Sequence, residues 1–298
     1  MKFVYNYPEV HGLERDLLDS GEISDVARAV EAAGFGAFAL TEHPIPGANW
    51  LDRGGHQTLD PFVGLAFAAA VTDRIRLLTH LAVVPYRNPF LLAKCAATLD
   101  RCSKGRFILG VGTGYHKTEF FALGVDFDER NALFDEALDL LPKAWSGEPF
   151  DAEGLHFTAR GVIQRPRPTQ NPIPIWIGGN SKLTRRRVAE RAQGWMPMGV
   201  PVEVARSTRS PHIASIAQLA EQITEVKDMA GDRAGELDFC MSYMGDGLQH
   251  PTKDVERHRE GFGELAEAGV TWVNIGPGPL EPQEMLDWAQ AFGETYCR

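Results

Sequence analysis

The stretch IPIWIGGNSKLTRRRVAERAQGWM, residues 173–196, contains one complete unit of the fold. It begins with a short apolar run typical of a buried strand, passes through a turn with two glycines, and continues with helical spacing over residues 182–192. A second apolar run follows near Trp195. A strand, a helix and a further strand in this order predict a parallel βα unit, because parallel neighbours need a crossover between them.

The same unit recurs along all 298 residues of the chain. Strands are predicted to begin near Phe3, Ala37, Ile75, Phe107, Ile173, Trp195, Leu237 and Trp272. Helices are predicted at residues 23–33, 61–71, 89–102, 131–145, 182–192, 215–230, 254–268 and 282–291. Eight alternating pairs favour a closed (β/α)₈ TIM barrel over an open sheet of about five or six strands. We expect a single domain over residues 1–298, with an irregular insertion at 146–172 after the fourth helix.

The composition, with 44% hydrophobic and 23% charged residues, is that of an ordinary globular protein. A formal net charge of −10 disfavours general binding to nucleic acids or anionic membranes. The sequence contains neither a signal-peptide pattern nor a membrane-spanning apolar run. The four cysteines and nine histidines lack metal-site spacing, so no metal is predicted. We therefore expect a cytoplasmic protein that acts on a small molecule, and the oligomeric state stays open, with a homodimer as one option.

Functional groups of such barrels collect where the strands end. Four segments of polar residues or glycines stand at these places: Thr41-Glu42-His43, Thr79-His80, Gly110-Val111-Gly112-Thr113-Gly114 and Gly178-Gly179-Asn180-Ser181. The last segment opens a helix, so its backbone N–H groups and the helix dipole predict an anion site. A simple N-cap at Ser181 is the alternative. Arginines at 185, 186, 187 and 191 would extend the positive field towards a longer anionic tail, or else form a solvated face.

The glycine-rich run 110–114 spells GxGxG rather than GxGxxG, and no acidic residue follows at the spacing of a dinucleotide-binding unit. We expect its glycines, Gly112 among them, to let a flat ring system lie close to the backbone. His43 is suited to donate a hydrogen bond to such a ring or to act as an acid or base. His80 lies in an apolar strand and needs a partner if it is buried. Taken alone, each histidine is better explained as a structural residue.

The chain resembles the luciferase-like monooxygenase superfamily, and within it the coenzyme F420-dependent oxidoreductases. The resemblance is carried by collinear motifs: AAGF at 32–35, TEH at 41–43, YRNP at 86–89, GRFILGVGTG at 105–114, EF at 119–120, LG at 123–124, WSGEP at 145–149, PRP at 166–168 and PIWIGG at 174–179. It implies a deazaflavin or flavin in the barrel mouth and a non-proline cis peptide bond near Thr79, His80 and Leu81. The implied cofactor-binding residues are Glu42, His43, Thr79, His80, Gly112, Gly178, Gly179, Asn180 and Ser181.

The same resemblance implies hydride transfer between coenzyme F420 and a small organic substrate. His43 matches a position near the reactive carbon in family members and is the first candidate catalytic residue, and Tyr115 is the second. In the sugar-phosphate dehydrogenases of the family, a catalytic glutamate directly follows the glycine-rich turn, where this chain has Tyr115. A sugar-phosphate substrate is therefore not expected, and the proton donor is one of His43, Tyr115 and His116. The alternatives are an FMN-dependent monooxygenase, a non-catalytic flavin-binding barrel, and a barrel without a cofactor.

Overall fold

The computed structural model describes residues 1–11, 16, 18, 21–278 and 280–297. Eight parallel strands form the barrel: β1 Lys2–Asn6, β2 Ala37–Leu40, β3 Arg76–Thr79, β4 Phe107–Gly112, β5 Ile175–Gly178, β6 Gly194–Met196, β7 Asp238–Ser242 and β8 Trp272–Ile275. Strands adjacent in the chain pair with each other, and β8 returns to pair with β1, with Trp272 opposite Lys2. The predicted closed barrel is confirmed.

The described residues include eight longer helices around the barrel: α1 Ile23–Ala33, α2 Pro61–Val71, α3 Pro89–Cys102, α4 Arg130–Trp145, α5 Lys182–Arg191, α6 Ile216–Ala230, α7 Val255–Glu267 and α8 Pro282–Tyr296. Shorter helices lie in the loops at Ala48–Leu51, Lys117–Ala122 and Val202–Ser207, with 3₁₀ turns at Val84–Tyr86 and Gly231–Glu236. Most predicted bounds agree closely, but α8 continues beyond Ala291 to Tyr296. Over the ranges described, no helix combines the length and the apolar character that crossing a membrane requires.

The inside of the barrel is filled by side chains. A buried cluster takes at least one residue from every strand: Val4, Ala37, Ala39, Leu78, Ile108, Trp176, Met196, Cys240 and Trp272. The two tryptophan rings meet edge to face at 5.4 Å. A second apolar layer packs between the strands and the helices. Because the centre is packed, the loops at the carboxyl ends of the strands are left to form a binding site.

The insertion after α4 is an ordered hairpin, which corrects the prediction of an irregular segment. Its strands, Phe150–Glu153 and Thr158–Val162, pair antiparallel. Ala152 and Ala159 face inward and pack with Leu140 of α4. The hairpin escaped prediction because its strands contain few β-branched or aromatic residues. Packing on α4 supplies what their local propensity lacks.

Glu136 of α4 holds the turn of this hairpin. Its carboxylate accepts hydrogen bonds from the backbone N–H groups of His156 at 3.0 Å and Phe157 at 2.9 Å, and lies 2.8 Å from His156 Nδ1. Burial alone would raise the pKa of Glu136, but these contacts hold it below its usual value. The carboxylate therefore stays charged at neutral pH.

Replacing Glu136 with glutamine is expected to loosen the hairpin without unfolding the barrel. Hydrogen bonds to a charged group contribute about 1.5–3 kcal/mol each, so amide exchange over residues 150–162 should accelerate by at least about tenfold. Hydrogen–deuterium exchange read by mass spectrometry measures this. Glu153→Gln, an exposed change on the same hairpin, is the matched control. Equal exchange in the two variants would contradict the role of Glu136.

Candidate active site at the barrel mouth

A cavity of about 310 Å³ lies at the carboxyl ends of the strands. Among its lining residues are Glu42, His43, His80, Gly112, Tyr115, Gly178, Gly179, Asn180 and Ser181. The tertiary structure thus brings nearly all the predicted site residues to one place. Thr79 is the exception, because its side chain is fully buried and its hydroxyl donates to the carbonyl oxygen of Gly110 at 2.7 Å. The predicted contact of Thr79 with a cofactor therefore finds no support in the cavity lining and stays a prediction.

A buried histidine–carboxylate pair forms one wall of the cavity. His43 Nδ1 lies 3.2 Å from Glu119 Oε2, and Tyr86 donates its hydroxyl to the same oxygen at 2.8 Å. Burial alone would raise the pKa of Glu119, but the bonds from His43 and Tyr86 lower it. Glu119 is therefore ionised at neutral pH, and an ionised carboxylate can only accept a hydrogen bond. The proton of a neutral His43 ring must then sit on Nδ1.

This tautomer leaves Nε2 of His43 as an acceptor towards the cavity. The hydroxyl of Tyr115 lies 3.3 Å from that nitrogen. Burial, with smaller contributions from Glu9 and Glu119, raises the pKa of Tyr115. Tyr115 therefore remains a neutral hydroxyl near pH 7 and can donate to His43. Glu119, His43 and Tyr115 form a continuous hydrogen-bonded chain that ends at the cavity.

His116 lies on the same wall, with its ring edge-on to Trp50 at 4.9 Å between centroids. Its Nε2 is buried and has no hydrogen-bond partner among the residues that the structure describes. Burial lowers the pKa of His116, and the neighbouring His43 lowers it further, while Glu119 opposes both. His116 is therefore a neutral ring at neutral pH.

Glu119 and Tyr86 were not among the predicted site residues. Glu119 lies in the short helix Lys117–Ala122, 76 residues from His43 in the chain. The sequence signal for Glu119 was its position directly before Phe120 and Phe121, the first of which is buried. No local pattern indicated which partner the carboxylate would meet, because that partner comes from the end of another strand.

Glu42 is among the residues that line the cavity, but its carboxylate is already bound by other groups of the protein. It pairs with Arg87 and accepts the N–H of Val83 at 2.7 Å. Burial raises the pKa of Glu42, and Arg87 opposes the rise. These contacts hold the loop that follows β3, where the His80–Leu81 peptide bond is cis, as the resemblance implied. The His80 side chain lines the cavity, and burial lowers its pKa.

The glycines of the mouth make room for Leu81. A Cβ atom at Gly112 would lie 2.9 Å from Leu81 Cδ1, and one at Gly178 would lie 2.5 Å from the same atom. Both distances are shorter than real Cβ contacts. The glycines therefore seat Leu81, which itself lines the cavity. Gly112 and Gly178 line the cavity as well, so the close approach of a ring to their backbone stays a prediction.

In the turn at 178–181, only some of the backbone N–H groups predicted to bind an anion are free. Gly179 donates its N–H to Met196 O, and Asn180 donates its N–H to Ser210 Oγ at 3.3 Å. The Asn180 side chain binds the loop that follows β6, donating to the carbonyl oxygens of Met198 and Pro211 at 2.8 Å each. Two of the expected anion-binding N–H groups are thus already engaged.

Unpaired donors begin at Ser181. Its hydroxyl caps α5 by accepting the N–H of Thr184 at 3.0 Å. Within the described ranges, the backbone N–H groups of residues 181–183 have no acceptor. They stand at the positive end of the helix dipole, and Ser181 lines the cavity. The free N–H groups therefore lie at residues 181–183, at the end of the predicted segment and just beyond it.

The arginines of α5 do not face the cavity, which corrects the expectation of a tail-binding surface there. Each pairs with a carboxylate: Arg185 with Glu225, Arg186 with Glu190, Arg187 with Asp135 and Arg191 with Asp139. All but the Arg186 pair join α5 to its neighbours α4 and α6. The sequence could not show the other three pairs, because their acidic partners lie on other helices.

A closed barrel with a polar cavity at its mouth is the arrangement typical of barrel enzymes. The chain belongs to the luciferase-like monooxygenase family, whose model matches residues 1–242. An uncharacterized protein of Mycobacterium tuberculosis is 34% identical over 284 residues, 90% of each chain. An F420-dependent glucose-6-phosphate dehydrogenase of Gordonia bronchialis is 29% identical over 220 residues, 70% of this chain and 62% of that protein. The structure of an F420-dependent secondary alcohol dehydrogenase shares the fold, with a TM-score of 0.76 at 16% identity over 99% of this chain and 97% of that one.

Proposed function

We propose that the protein is an F420-dependent oxidoreductase that transfers a hydride between the deazaflavin and a small organic substrate. The observation that carries the proposal is the chain Glu119–His43–Tyr115, which ends in the same cavity as the 178–181 turn. The relative from Gordonia bronchialis supports the choice of coenzyme, because its name states a dependence on F420. When bound, a deazaflavin supplies a carbon centre that accepts or donates a hydride.

The cavity suits a phosphorylated ring cofactor in two ways. The free N–H groups of residues 181–183 at the start of α5 are suited to a phosphate. Leu81, Val83 and Met196 give the cavity an apolar surface for a flat ring. The buried, unpartnered Nε2 of His116 adds a polar atom that the described residues leave for a ligand.

In the proposed reaction, the residues of this chain manage the proton. Removing a hydride from a C–H bond beside a hydroxyl leaves a proton that must be taken up, and the reverse reaction must return it. His43 takes this proton at Nε2, directly or through the hydroxyl of Tyr115. The charge of Glu119 stabilises the imidazolium, and Tyr86 keeps the carboxylate in place. The ring of Trp50, 4.8 Å from the His43 ring between centroids, covers one side of the imidazole.

An absorbance titration with coenzyme F420 and with FMN tests the cofactor. We expect F420 to bind at least about tenfold more tightly than FMN, because it carries anionic groups beyond the phosphate that both share. Turnover should then appear with a small alcohol or carbonyl compound and the appropriate form of F420. Tighter binding of FMN, with oxygen-dependent turnover, would instead support the monooxygenase alternative.

Two other results would also contradict the proposal. F420 binding without turnover over a broad panel of alcohols and carbonyl compounds would indicate a non-catalytic flavin-binding barrel. Binding of neither cofactor would indicate a barrel that works without one. Each result corresponds to one of the alternatives that the sequence left open.

A further inference from the structure

Three basic side chains converge on the ring of Phe127. Lys117 Nζ and Arg209 Cζ each lie 4.9 Å from the ring centroid, and Arg130 Cζ lies 4.0 Å from it. Any two of these charges therefore lie within roughly one Debye length, ~10 Å, of each other. Phe127 packs edge-on against Phe120 at 5.1 Å between centroids, so the ring is a fixed platform.

Among the described residues, no carboxylate pairs with any of the three cations. Within the part of the chain that the structure describes, none of them forms an ion pair, although the protein has 40 acidic and 30 basic residues. The hydrogen bond of Arg130 goes to the carbonyl oxygen of Phe127. Burial and Arg209 lower the pKa of Arg130, while Asp128 opposes them without pairing. An aromatic face attracts a cation but does not neutralise it, so the cluster is self-repelling until an anion binds.

The cluster adjoins the anion-binding turn. Arg209 lines the same cavity as Ser181 and Thr184. The next residue, Ser210, accepts the backbone N–H of Asn180 through its hydroxyl. An anionic chain that leaves the start of α5 along the cavity wall would therefore meet Arg209 first, and then the other two cations around Phe127.

We propose that Lys117, Arg130 and Arg209 bind the oligoglutamate tail of coenzyme F420, beyond its phosphate. The proposal rests on the F420 dependence proposed above. Several carboxylates spaced along a flexible chain match separate cations around a ring better than a single compact anion does. This site replaces the arginines of α5, whose charges are already paired.

The test compares coenzyme F420 with the same deazaflavin phosphate lacking glutamates, and with FMN, in binding titrations. The wild-type protein is expected to bind the glutamate-bearing form at least about tenfold more tightly than the form without glutamates, and added salt should reduce this preference. In the variant K117Q/R130Q/R209Q the preference should shrink to within about twofold. Arg186→Gln, an exposed arginine on α5, is the matched control and should keep the preference.

The possible results separate the two proposals. Equal binding of both deazaflavin forms by the wild type, or an undiminished preference in the triple variant, would overturn the tail site and leave F420 dependence standing. If neither form binds, both proposals fail. Lys117→Gln alone changes an exposed side chain and is expected to lose part of the preference, so the test does not depend on folding of the triple variant. An unchanged preference in that single variant would exclude Lys117 from the site.

Discussion

Replacing His43 with glutamine is expected to lower kcat by about 10²- to 10⁴-fold, the contribution typical of a general acid–base group. Glutamine keeps a polar side chain beside Glu119 but cannot take up a proton. The affinity for the cofactor should change much less, because the proposed phosphate and tail sites lie on other elements. Steady-state kinetics with F420 and the substrate found by the panel, together with a cofactor titration, measure both quantities.

Two further variants sharpen this result. His250→Gln changes an exposed histidine outside the cavity and should leave kcat unaltered. Tyr115→Phe removes only the hydroxyl that lies near His43 Nε2. A larger loss in Tyr115→Phe than in His43→Gln would make Tyr115 the principal proton donor. A kcat within about threefold of wild type in His43→Gln would refute the proposed role of His43.

Replacing Arg87 with methionine is expected to lower the free energy of unfolding by about 3–5 kcal/mol, because it leaves the buried Glu42 without its cation. Methionine retains much of the apolar part of the arginine side chain, so the loss of stability mainly measures the effect of removing the charge. Chemical denaturation read by circular dichroism measures it. Arg160→Met, on the exposed face of the hairpin, is the control and should fall within about 0.5 kcal/mol of wild type.

The Arg87→Met penalty should also depend on pH. Burial raises the pKa of Glu42, and removing Arg87 removes the main opposing influence. A carboxyl group whose pKa is raised on folding is tolerated while protonated and destabilises as pH rises through its folded pKa. The variant should therefore be closer to wild type near pH ~5 than near pH ~8. Adding Glu42→Gln should restore part of the stability at the higher pH, and a pH-independent penalty would contradict this account.

Much of the fold was predictable because its signals are local. The bounds of α1, α2 and α3 follow from apolar spacing and from flanking cap residues such as Asp60 and Asn88. The alternation of strands and helices then leaves a closed barrel as the natural arrangement. The hairpin at 150–162 lacked such signals, since its order depends on Glu136 and Leu140 of a neighbouring helix.

The features of the candidate site fall into the same two groups: those that local sequence indicates and those that only the fold brings together. The sequence by itself determined the barrel and the place of its mouth, and the family motifs implied the cis bond, because each of these depends on residues close together in the chain. The anion site that the sequence indicates at residues 178–181 stays a prediction. Only the tertiary structure decided which charges meet. It placed Glu119 beside His43 and paired Arg185, Arg187 and Arg191 of α5 with neighbouring helices. It also left Lys117, Arg130 and Arg209 around Phe127 with no carboxylate partner among the described residues. Such pairings join groups from distant segments, and their energies depend on distance and burial, which a linear pattern does not contain.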